Sequence, residues 1–453
     1  MDGKEKVTGE RSVEIAIVGG GIIGCSIAYY LTKHPNFDAK RYHITIFESN
    51  NIACAASGKA GGLLASWAFP AQIGALSFNL HQLLAAEHDG AKKWDYRHLD
   101  TINLEADLRR GDSQLSLNSL LRKQREHARR LEKSKKWSKY GESSTPEGDC
   151  DDTDGGDDDG DDTLIGKNRS DLPTNLRWID GKKVKSWSYI SDSAATAQLH
   201  PYKFTKFLFG EAEMSGSVDL VYGKVTQLKM TEDRETIVGL EYEPVSKHSD
   251  PAKADEDEHV RKVHKVDKLI IAAGPWTSEI LPECPVSGLR AHSIIIKPDD
   301  ISKISPYALF TELQISDAET FSPEIYTRRD VVYVCGEGEA MALPDPTQDV
   351  EITQEKCDKL YKYACEVSPL LSAGKLVTKQ ACYLPVLDVA TSSGPLMGET
   401  NVEGLYLASG HSCWGINNSL ATGKIMSEIV MNGETLCANV ENLDPKLYFD
   451  ARV

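Results

Sequence analysis

The alternation of apolar and polar positions near the N-terminus predicts a strand, a helix and a second strand in direct succession. Residues 13–18 form a short run of β type, and apolar residues recur with helical spacing over 25–33. A second run of β type, 43–47, ends at Glu48. This order predicts a βαβ unit in a parallel sheet, with the helix covering one face.

The rest of the chain continues this mixture of patterns. Aliphatic clusters predict buried strands, alternating segments predict strands of an antiparallel sheet, and a final helix is predicted near the C-terminus. The buried strands are 219–228 and 267–271, the alternating strands are 289–297 and 331–336, and a strand and turn over 404–411 precede a helix at about 418–432.

Length and composition indicate a globular protein of two domains. A chain of 453 residues exceeds the usual size of a single hydrophobic core. No apolar stretch approaches the ~18 residues that span a bilayer, and the polar residues 1–11 are unlike a signal peptide. Ten cysteines are scattered without a C-x-x-C pair, which predicts neither disulfides nor a metal site. We therefore expect a cytoplasmic protein in a reducing compartment, with no membrane span and no metal.

The net charge of −17 comes largely from one segment. Residues 147–163 hold ten acidic residues and no lysine or arginine. Nucleic-acid binding is not expected, because the chain has no basic field to support it. We predict a disordered acidic insertion at 142–172, which is too polar to offset its ordering entropy, and a second, charged loop at 247–265. Both are candidate docking segments for a protein partner, although a plain surface insertion is the simpler interpretation.

The candidate chemistry begins directly after the first strand, at Gly19-Gly20-Gly21-Ile22-Ile23-Gly24. G-x-G-x-x-G between a strand and a helix is typical of a dinucleotide site, because glycines let backbone amides approach a pyrophosphate. The helix N-terminus adds partial positive charge. Glu48 lies where an acidic residue hydrogen-bonds the adenosine ribose, and its charge disfavours NADP.

Seven segments spread over nearly the whole chain resemble the flavoprotein oxidases related to D-amino-acid oxidase, glycine oxidase and sarcosine oxidase. They are Val-Gly-Gly-Gly-Ile-Ile-Gly (18–24), Phe-Glu (47–48), Ala-Ser-Gly-Lys-Ala-Gly-Gly-Leu (56–63), His-Pro (200–201), Ala-Ala-Gly-Pro-Trp-Thr (272–277), Ile-Tyr-Thr-Arg-Arg-Asp (325–330) and Gly-Leu-Tyr-Leu-Ala-Ser-Gly-His (404–411). The likeness is greatest to fungal oxidoreductases of this family. Some of those are linked to endosome-to-Golgi traffic, which implies an association with late endosomes.

The resemblance implies an α/β (α+β) fold, with a Rossmann-like FAD-binding domain and a discontinuous antiparallel-sheet substrate domain. The FAD-binding domain would comprise 8–105, 196–285 and 386–453, and the substrate domain would comprise 106–195 and 286–385. FAD is the implied cofactor. The residues implied in binding it are Gly19, Gly20, Gly21, Ile22, Ile23, Gly24, Glu48, Ser49, Ala56, Ser57, Lys59, Gly61, Gly62, Leu63, Val225, Ala273, Gly274, Trp276, His411, Trp414, Gly415, Ile416 and Asn417.

The resemblance also implies a reaction. In this family a hydride passes to flavin from a carbon next to an amine nitrogen, and reduced flavin gives its electrons to oxygen. The implied substrate is an amine or amino-acid-like small molecule, with O2 as acceptor. The candidate catalytic residues are Arg290, Tyr326, Arg328 and His411. Each also has an ordinary structural interpretation, as a paired arginine, a sheet tyrosine or a packed histidine.

One position departs from the family pattern. Amino-acid-oxidising relatives commonly carry an arginine, in Leu-Arg-Pro or a similar segment, that binds the substrate carboxylate in bidentate fashion. The matching segment here is Ala-Cys-Tyr-Leu-Pro (381–385), with Leu384 at the place of the arginine. A simple D-amino acid or glycine is therefore disfavoured. Two interpretations stay open: an amine oxidoreductase, or a regulatory or interaction protein that keeps FAD with little or no activity.

Overall fold

The computed structural model describes residues 12–109, 172–245, 261–389 and 394–453. The predicted acidic insertion 142–172 lies outside these residues except for its last position. Most of the predicted charged loop 247–265 lies outside them as well.

The described part of the chain contains nineteen strands and nine α-helices. The strands are β1 (Val13–Val18), β2 (Tyr42–Glu48), β3 (Leu63–Ala65), β4 (Arg97–His98), β5 (Asp100–Asp107), β6 (Val184–Ser191), β7 (Thr196–Gln198), β8 (Val218–Met230), β9 (Ile237–Pro244), β10 (Lys262–Lys265), β11 (Lys268–Ile271), β12 (Val286–Lys297), β13 (Tyr307–Gln314), β14 (Thr320–Phe321), β15 (Glu324–Thr327), β16 (Val332–Ala340), β17 (Lys375–Leu387), β18 (Leu396–Glu399) and β19 (Leu405–Ser409). The helices are α1 (Ile22–Lys33), α2 (Ala56–Lys59), α3 (Ala71–His88), α4 (Gly90–Lys93), α5 (Pro201–Glu213), α6 (Thr277–Ile280), α7 (Gln354–Val367), α8 (Pro369–Ala373) and α9 (Gly415–Asn432).

The first sheet is built around the βαβ unit at the N-terminus. Its strand order is β10-β9-β8-β2-β1-β11-β19-β18, and the five strands from β8 to β19 run parallel. Strand β1 is buried on both faces: Ile15 and Ile17 pack in one core with residues of α1, α5 and α9, while Ala16 packs in the core on the opposite face. Burial on both faces explains why this strand is almost continuously apolar.

The last residues of the predicted charged loop form a strand instead. Lys262–Lys265 pairs antiparallel with β9, from Lys262 opposite Tyr242 to Lys265 opposite Gly239. An edge strand pairs on one side only and tolerates exposed lysines. The charged residues of this segment therefore favoured the prediction of a loop, although its last residues form a strand.

The second sheet has the order β17-β12-β16-β15-β13-β5-β6, with β14 paired to β13. Its strands come from two distant segments of the chain, 100–191 and 286–387. All neighbouring pairs are antiparallel except β5 and β13, which run parallel, so the expected antiparallel sheet contains one parallel pair. One face packs against α7, and the other carries Tyr326 and Tyr333 in a small core with Leu63.

Three smaller observations complete the fold. A third sheet of short strands has the order β3-β7-β4. The nine cysteines within the described ranges are all free thiols. Among the helices of those same ranges, none combines the length and the apolar character that crossing a membrane requires.

Candidate functional site

A cleft opens where the parallel strands of the first sheet end. Residues that follow β1, β2, β11 and β19 line it, and Leu384 and Pro385 of the second sheet close one side. Parallel strands present their carboxyl ends at the same edge of a sheet, and loops at that edge form the usual ligand site of open α/β sheets. The cleft is therefore the candidate functional site.

The turn between β1 and α1 has room for backbone only. Gly19 has a φ of +111°, and a Cβ there would lie 2.4 Å from the carbonyl oxygen of Ala272. A Cβ at Gly24 would lie 2.0 Å from the carbonyl oxygen of Gly19. Any side chain at these two positions would push the helix away from the strands, so glycine is required for the turn.

Hydrogen bonds to side chains hold the same turn in place. The amide of Gly20 donates to Glu48 Oε2 at 2.8 Å, and the amide of Ile22 donates to Ser57 Oγ at 2.8 Å. Glu48 Oε1 accepts from the amide of Asn50 at 2.7 Å. Each carboxylate oxygen can accept more than one hydrogen bond, so Glu48 can fix the turn and also receive a ligand hydroxyl.

These features fit the dinucleotide that the sequence predicts. Gly21 lines the cleft, and a Cβ there would point at Ser57 Oγ from 3.1 Å, into space left open by the absence of a side chain. The first-turn amides of α1 have no partner within the helix and are suited to phosphate oxygens. Glu48, 7% exposed, has carboxylate oxygens that are suited to accept from a ribose hydroxyl.

A second helix N-terminus, that of α9, also lines the cleft, through Gly415 and Ile416. Gly410 has a φ of +86°, which turns the chain from β19 toward the start of the helix at Gly415. His411 lies buried in this turn, with Nε2 3.0 Å from Thr422 Oγ1. Burial lowers the pKa of His411 to about 3, so the imidazole is neutral at physiological pH.

Most of the residues predicted for FAD binding line the cleft. They are Gly19, Gly21, Ile22, Ile23, Glu48, Ser49, Ala56, Ser57, Lys59, Val225, Ala273, Gly274, Trp276, His411, Gly415 and Ile416. The others are not among the lining residues: Gly20, Gly24, Gly61, Gly62, Leu63, Trp414 and Asn417.

Three of these seven residues make contacts that join neighbouring elements of the fold. A Cβ at Gly61 would lie 2.3 Å from the ring of Tyr326, so this glycine lets the second sheet approach the loop after α2. The side-chain oxygen of Asn417 accepts from the amide of Ala65 at 2.9 Å and ties α9 to β3. The ring of Trp414 packs against another indole, at a centroid distance of 5.4 Å.

The structure places the predicted catalytic residues in different environments. Only His411 among the four lines the cleft. Arg290 is buried and pairs with Glu339 at 2.7 Å. Arg328 donates to the carbonyl oxygens of Ala60 and Gly61, and its guanidinium lies 4.8 Å from the ring centroid of Tyr333. Tyr326 donates its hydroxyl hydrogen to Glu324.

Sequence reasoning missed a group around this tyrosine. Glu324 accepts from Tyr326, and Cys335 Sγ lies 3.6 Å from the same carboxylate oxygen. Cys413 lines the cleft. A signal existed for Glu324, because positions two apart in a strand share a face. No comparable signal existed for Cys413.

Comparisons with known proteins agree with this geometry. The family model described as "DAO: FAD dependent oxidoreductase" matches residues 14–429. The protein named "Putative oxidoreductase TDA3" of Saccharomyces cerevisiae is 44% identical, over 98% of this chain and 96% of that protein.

Two solved structures share the fold at low sequence identity. Glycine oxidase from Bacillus cereus has a TM-score of 0.65 and 17% identity, over 94% of this chain and 96% of that chain. L-proline dehydrogenase from P. horikoshii has a TM-score of 0.66 and 16% identity, over 96% and 98% of the two chains. The family model covers most of the chain and the yeast relative almost all of it, and the chain therefore belongs to the DAO family of FAD-dependent oxidoreductases.

Proposed function

We propose that this FAD-dependent oxidoreductase oxidises the C–N bond of a small amine or amino-acid-like molecule, with O2 as the final electron acceptor. The observation that carries the proposal is that Leu384 and Pro385 of the second sheet line the same cleft as His411 and Gly415. A small molecule between them would lie against the end of the cleft where α9 begins. The names of the two solved structures, a glycine oxidase and an L-proline dehydrogenase, support a substrate with an amine nitrogen.

The proposal assigns parts of the cleft to parts of the cofactor. Gly19–Gly24 would hold the pyrophosphate, Glu48 the adenosine ribose, and Val225 would cover the adenine. Residues 411–419 would approach the isoalloxazine, where the positive end of α9 favours negative charge. When bound, FAD supplies the acceptor for the hydride, and the chain orients both reactants and keeps water out.

Leu384 limits the substrate class. Its side chain lines the cleft and carries no charge. A substrate carboxylate beside Leu384 would gain no ionic partner from that residue, and the cation Lys59, which lines the cleft, donates to the carbonyl oxygen of Ala381 on the same strand at 3.1 Å. We therefore propose an amine, or an amino-acid-like molecule whose acid group lies elsewhere, over glycine or a simple D-amino acid.

An anaerobic substrate panel tests the proposal. We expect purified protein to be yellow, with flavin absorbance near about 450 nm. Primary and secondary amines should bleach this band without oxygen and release peroxide when oxygen is admitted. Amino acids with a carboxylate next to the nitrogen should bleach it more slowly. Tightly bound FAD that no member of the panel bleaches would contradict the proposal.

The second candidate is a flavoprotein with a regulatory or interaction role, for example in endosome-to-Golgi traffic, with little or no catalytic activity. The neutral Leu384 and the charged segments 142–172 and 247–265 favour it. This role would suit a cytoplasmic protein that associates with late endosomes through a protein partner. Its expected signature is stable FAD binding with no bleaching, together with loss of a partner when a charged segment is removed.

A further inference from the structure

A segment between β16 and α7 forms part of the cleft wall. Residues 343–350, here called the strap, all lie in the described range and form neither a helix nor a strand. Leu343 and Val350, near its two ends, pack with Tyr383 of β17 in a small core. The strap residues that line the cleft are Pro346, Gln348, Asp349 and Val350. The strap is therefore anchored on the second sheet and reaches the cleft.

Hydrogen bonds join the strap to residues that follow strands of the first sheet. Ser49, directly after β2, donates its hydroxyl hydrogen to the carbonyl oxygen of Pro346 at 3.0 Å. Trp276, after β11, donates its indole hydrogen to the carbonyl oxygen of Pro344 at 2.8 Å. Both donors line the cleft. Two backbone positions of the strap are thus held by side chains from the opposite sheet.

An ion pair makes a third connection. Asp345 of the strap pairs with Lys224 of β8, and the two side chains are 35% and 26% exposed. Asp345 also accepts from the amide of Thr347 at 2.9 Å and from its hydroxyl at 2.6 Å, which closes a turn within the strap. Burial raises the pKa of Asp345, but hydrogen bonds from Lys224 and Thr347 outweigh it and lower the pKa from 3.8 to about 2. The carboxylate is therefore charged at physiological pH, and it both shapes the strap and attaches it.

Two of these connections lie beside the residues assigned to the adenosine half of FAD. Ser49 follows Glu48, and Lys224 precedes Val225. Strands β2 and β8 are parallel neighbours, so both positions lie at the same edge of the first sheet. All four residues line the cleft together with the strap. A ligand bound by Glu48 and Val225 would therefore have the strap as its neighbour.

We infer that the strap, attached through Asp345, makes the cleft selective for FAD over flavins that lack an adenosine half. The inference rests on the proposed placement of the adenosine at Glu48 and Val225. A strap that is already attached lets the adenosine half bind without first ordering a loop, which saves free energy of binding. The isoalloxazine half, assigned to 411–419, does not depend on this attachment. Asp345 is a positioning residue, because it acts through the strap.

The two halves of FAD serve as probes that need no turnover. ADP carries the adenosine and the pyrophosphate, and FMN carries the isoalloxazine with a single phosphate. Flavin is removed from the full-length protein by dialysis against bromide. The dissociation constants of FAD and FMN are then measured by the change in flavin fluorescence, and that of ADP by competition with FAD.

Asp345→Lys should weaken the binding of FAD and ADP at least about 10-fold and leave the binding of FMN unchanged, because two lysines repel each other where the ion pair attaches the strap. Asp345→Glu, which keeps the charge, should retain most of the affinity. Asp345→Asn serves if the lysine variant does not fold. Asp358→Lys is the matched control, because Asp358 is 64% exposed and pairs with Lys379, and neither is among the described residues that line the cleft. It should behave like the native protein.

The outcomes separate this inference from the proposed function. Equal affinity of the native protein for FAD and FMN, unchanged binding of FAD and ADP by Asp345→Lys, or an equal loss for ADP and FMN overturns the inference. Bleaching by amines in the substrate panel would then still support the proposed function. A selective loss of FAD and ADP binding, with no amine ever bleaching the flavin, supports the role of the strap and overturns the proposed oxidation.

Discussion

At the scale of single residues, the shape of the cleft depends on two kinds of residue. Glycines leave space where backbone segments approach each other, and other side chains form hydrogen bonds with backbone carbonyl oxygens. Gly19 and Gly24 leave the space in which α1 meets the strands. Arg328 does the opposite, because its guanidinium reaches from the second sheet to the carbonyl oxygens of Ala60 and Gly61. Both kinds of residue shape the backbone around the cleft.

Gly21→Asp should give colourless protein. The new carboxylate would project toward Ser57, into the space where the amides of α1 would receive phosphates. Repulsion between like charges in a desolvated site costs several kcal/mol. The measurement is the FAD released on denaturation, per mole of protein. Gly210→Asp on α5 is the control, since a Cβ there meets no atom within 4 Å. Equal FAD in both variants would contradict the assignment of the phosphate site.

Arg328→Met should weaken both stability and FAD binding. Removing the guanidinium takes the donor from the carbonyl oxygen of Ala60, at about 1–3 kcal/mol, and leaves the carbonyl oxygen of Gly61 with the hydrogen bond from Gln198 Nε2 at 3.3 Å. The loop after α2 would then loosen beside the cleft. Melting temperature and the dissociation constant for FAD are the measurements. Arg329→Met, at a neighbouring side chain that is 54% exposed, should leave both nearly unchanged. A larger effect at Arg329 than at Arg328 would refute this role.

At the scale of elements, short strands and helix ends decide which groups meet. Strand β15 has four residues, yet it presents Ile325 to the core under α7 and Glu324 and Tyr326 to the opposite side. Helix α9 contributes at both of its ends. Its N-terminus lies at the cleft, and near its C-terminus Glu428 holds the following segment through Thr435.

Glu428→Gln should destabilise the protein in a pH-dependent way. Partial burial raises the pKa of Glu428, but hydrogen bonds from Thr435 and Lys424 outweigh it and lower the pKa from an ordinary 4.5 to about 2. A carboxyl whose pKa is depressed in the folded state stabilises it above the unfolded pKa, and this contribution disappears as pH falls through the folded pKa. The loss should be about 1–2 kcal/mol at pH 7.

The measurement is the difference in unfolding free energy between native and variant protein from pH 7 down to pH 3. The difference should be constant above about pH 5 and shrink below it. Glu434→Gln, at an exposed position of the same segment, is the control. A difference that grows toward low pH has the wrong sign and would rule out this explanation.

At the scale of the whole molecule, the site exists because two sheets from interleaved segments enclose one cleft. The first sheet supplies the carboxyl ends of its parallel strands, and the second supplies Leu384 and Pro385. Residues far apart in sequence meet there. Trp276, which lines the cleft, donates its indole hydrogen to the carbonyl oxygen of Pro344 at 2.8 Å.

Deleting 145–165 should leave FAD content and melting temperature unchanged. No strand or helix that lines the cleft in the described ranges comes from that segment. The deletion joins 144 to 166 and leaves both large sheets with all their described strands. Released FAD and the melting curve are the measurements. Colourless or insoluble protein would show that the acidic segment is required for the folded body.

The sequence by itself determined the family and the cofactor, and most of the residues that it assigned to FAD binding line the cleft. The spacing of Gly19 to Gly24, the strand ending at Glu48 and the turn at His411 are local patterns, and local geometry restricts them strongly. Such patterns can be recognised in the sequence because a glycine turn or a helix N-terminus depends only on residues that are adjacent in the chain.

Only the tertiary structure decided the surroundings of Arg290, Arg328 and Glu324. The sequence left both arginines as candidates for the cleft, whereas the fold pairs one with Glu339 and directs the other to backbone carbonyls. The hydrogen bond from Tyr326 to Glu324, and the Cys335 thiol beside the same carboxyl group on the neighbouring strand, follow from the fold and the strand register. Charge balance depends on which distant side chains share a face, and no local pattern contains that information.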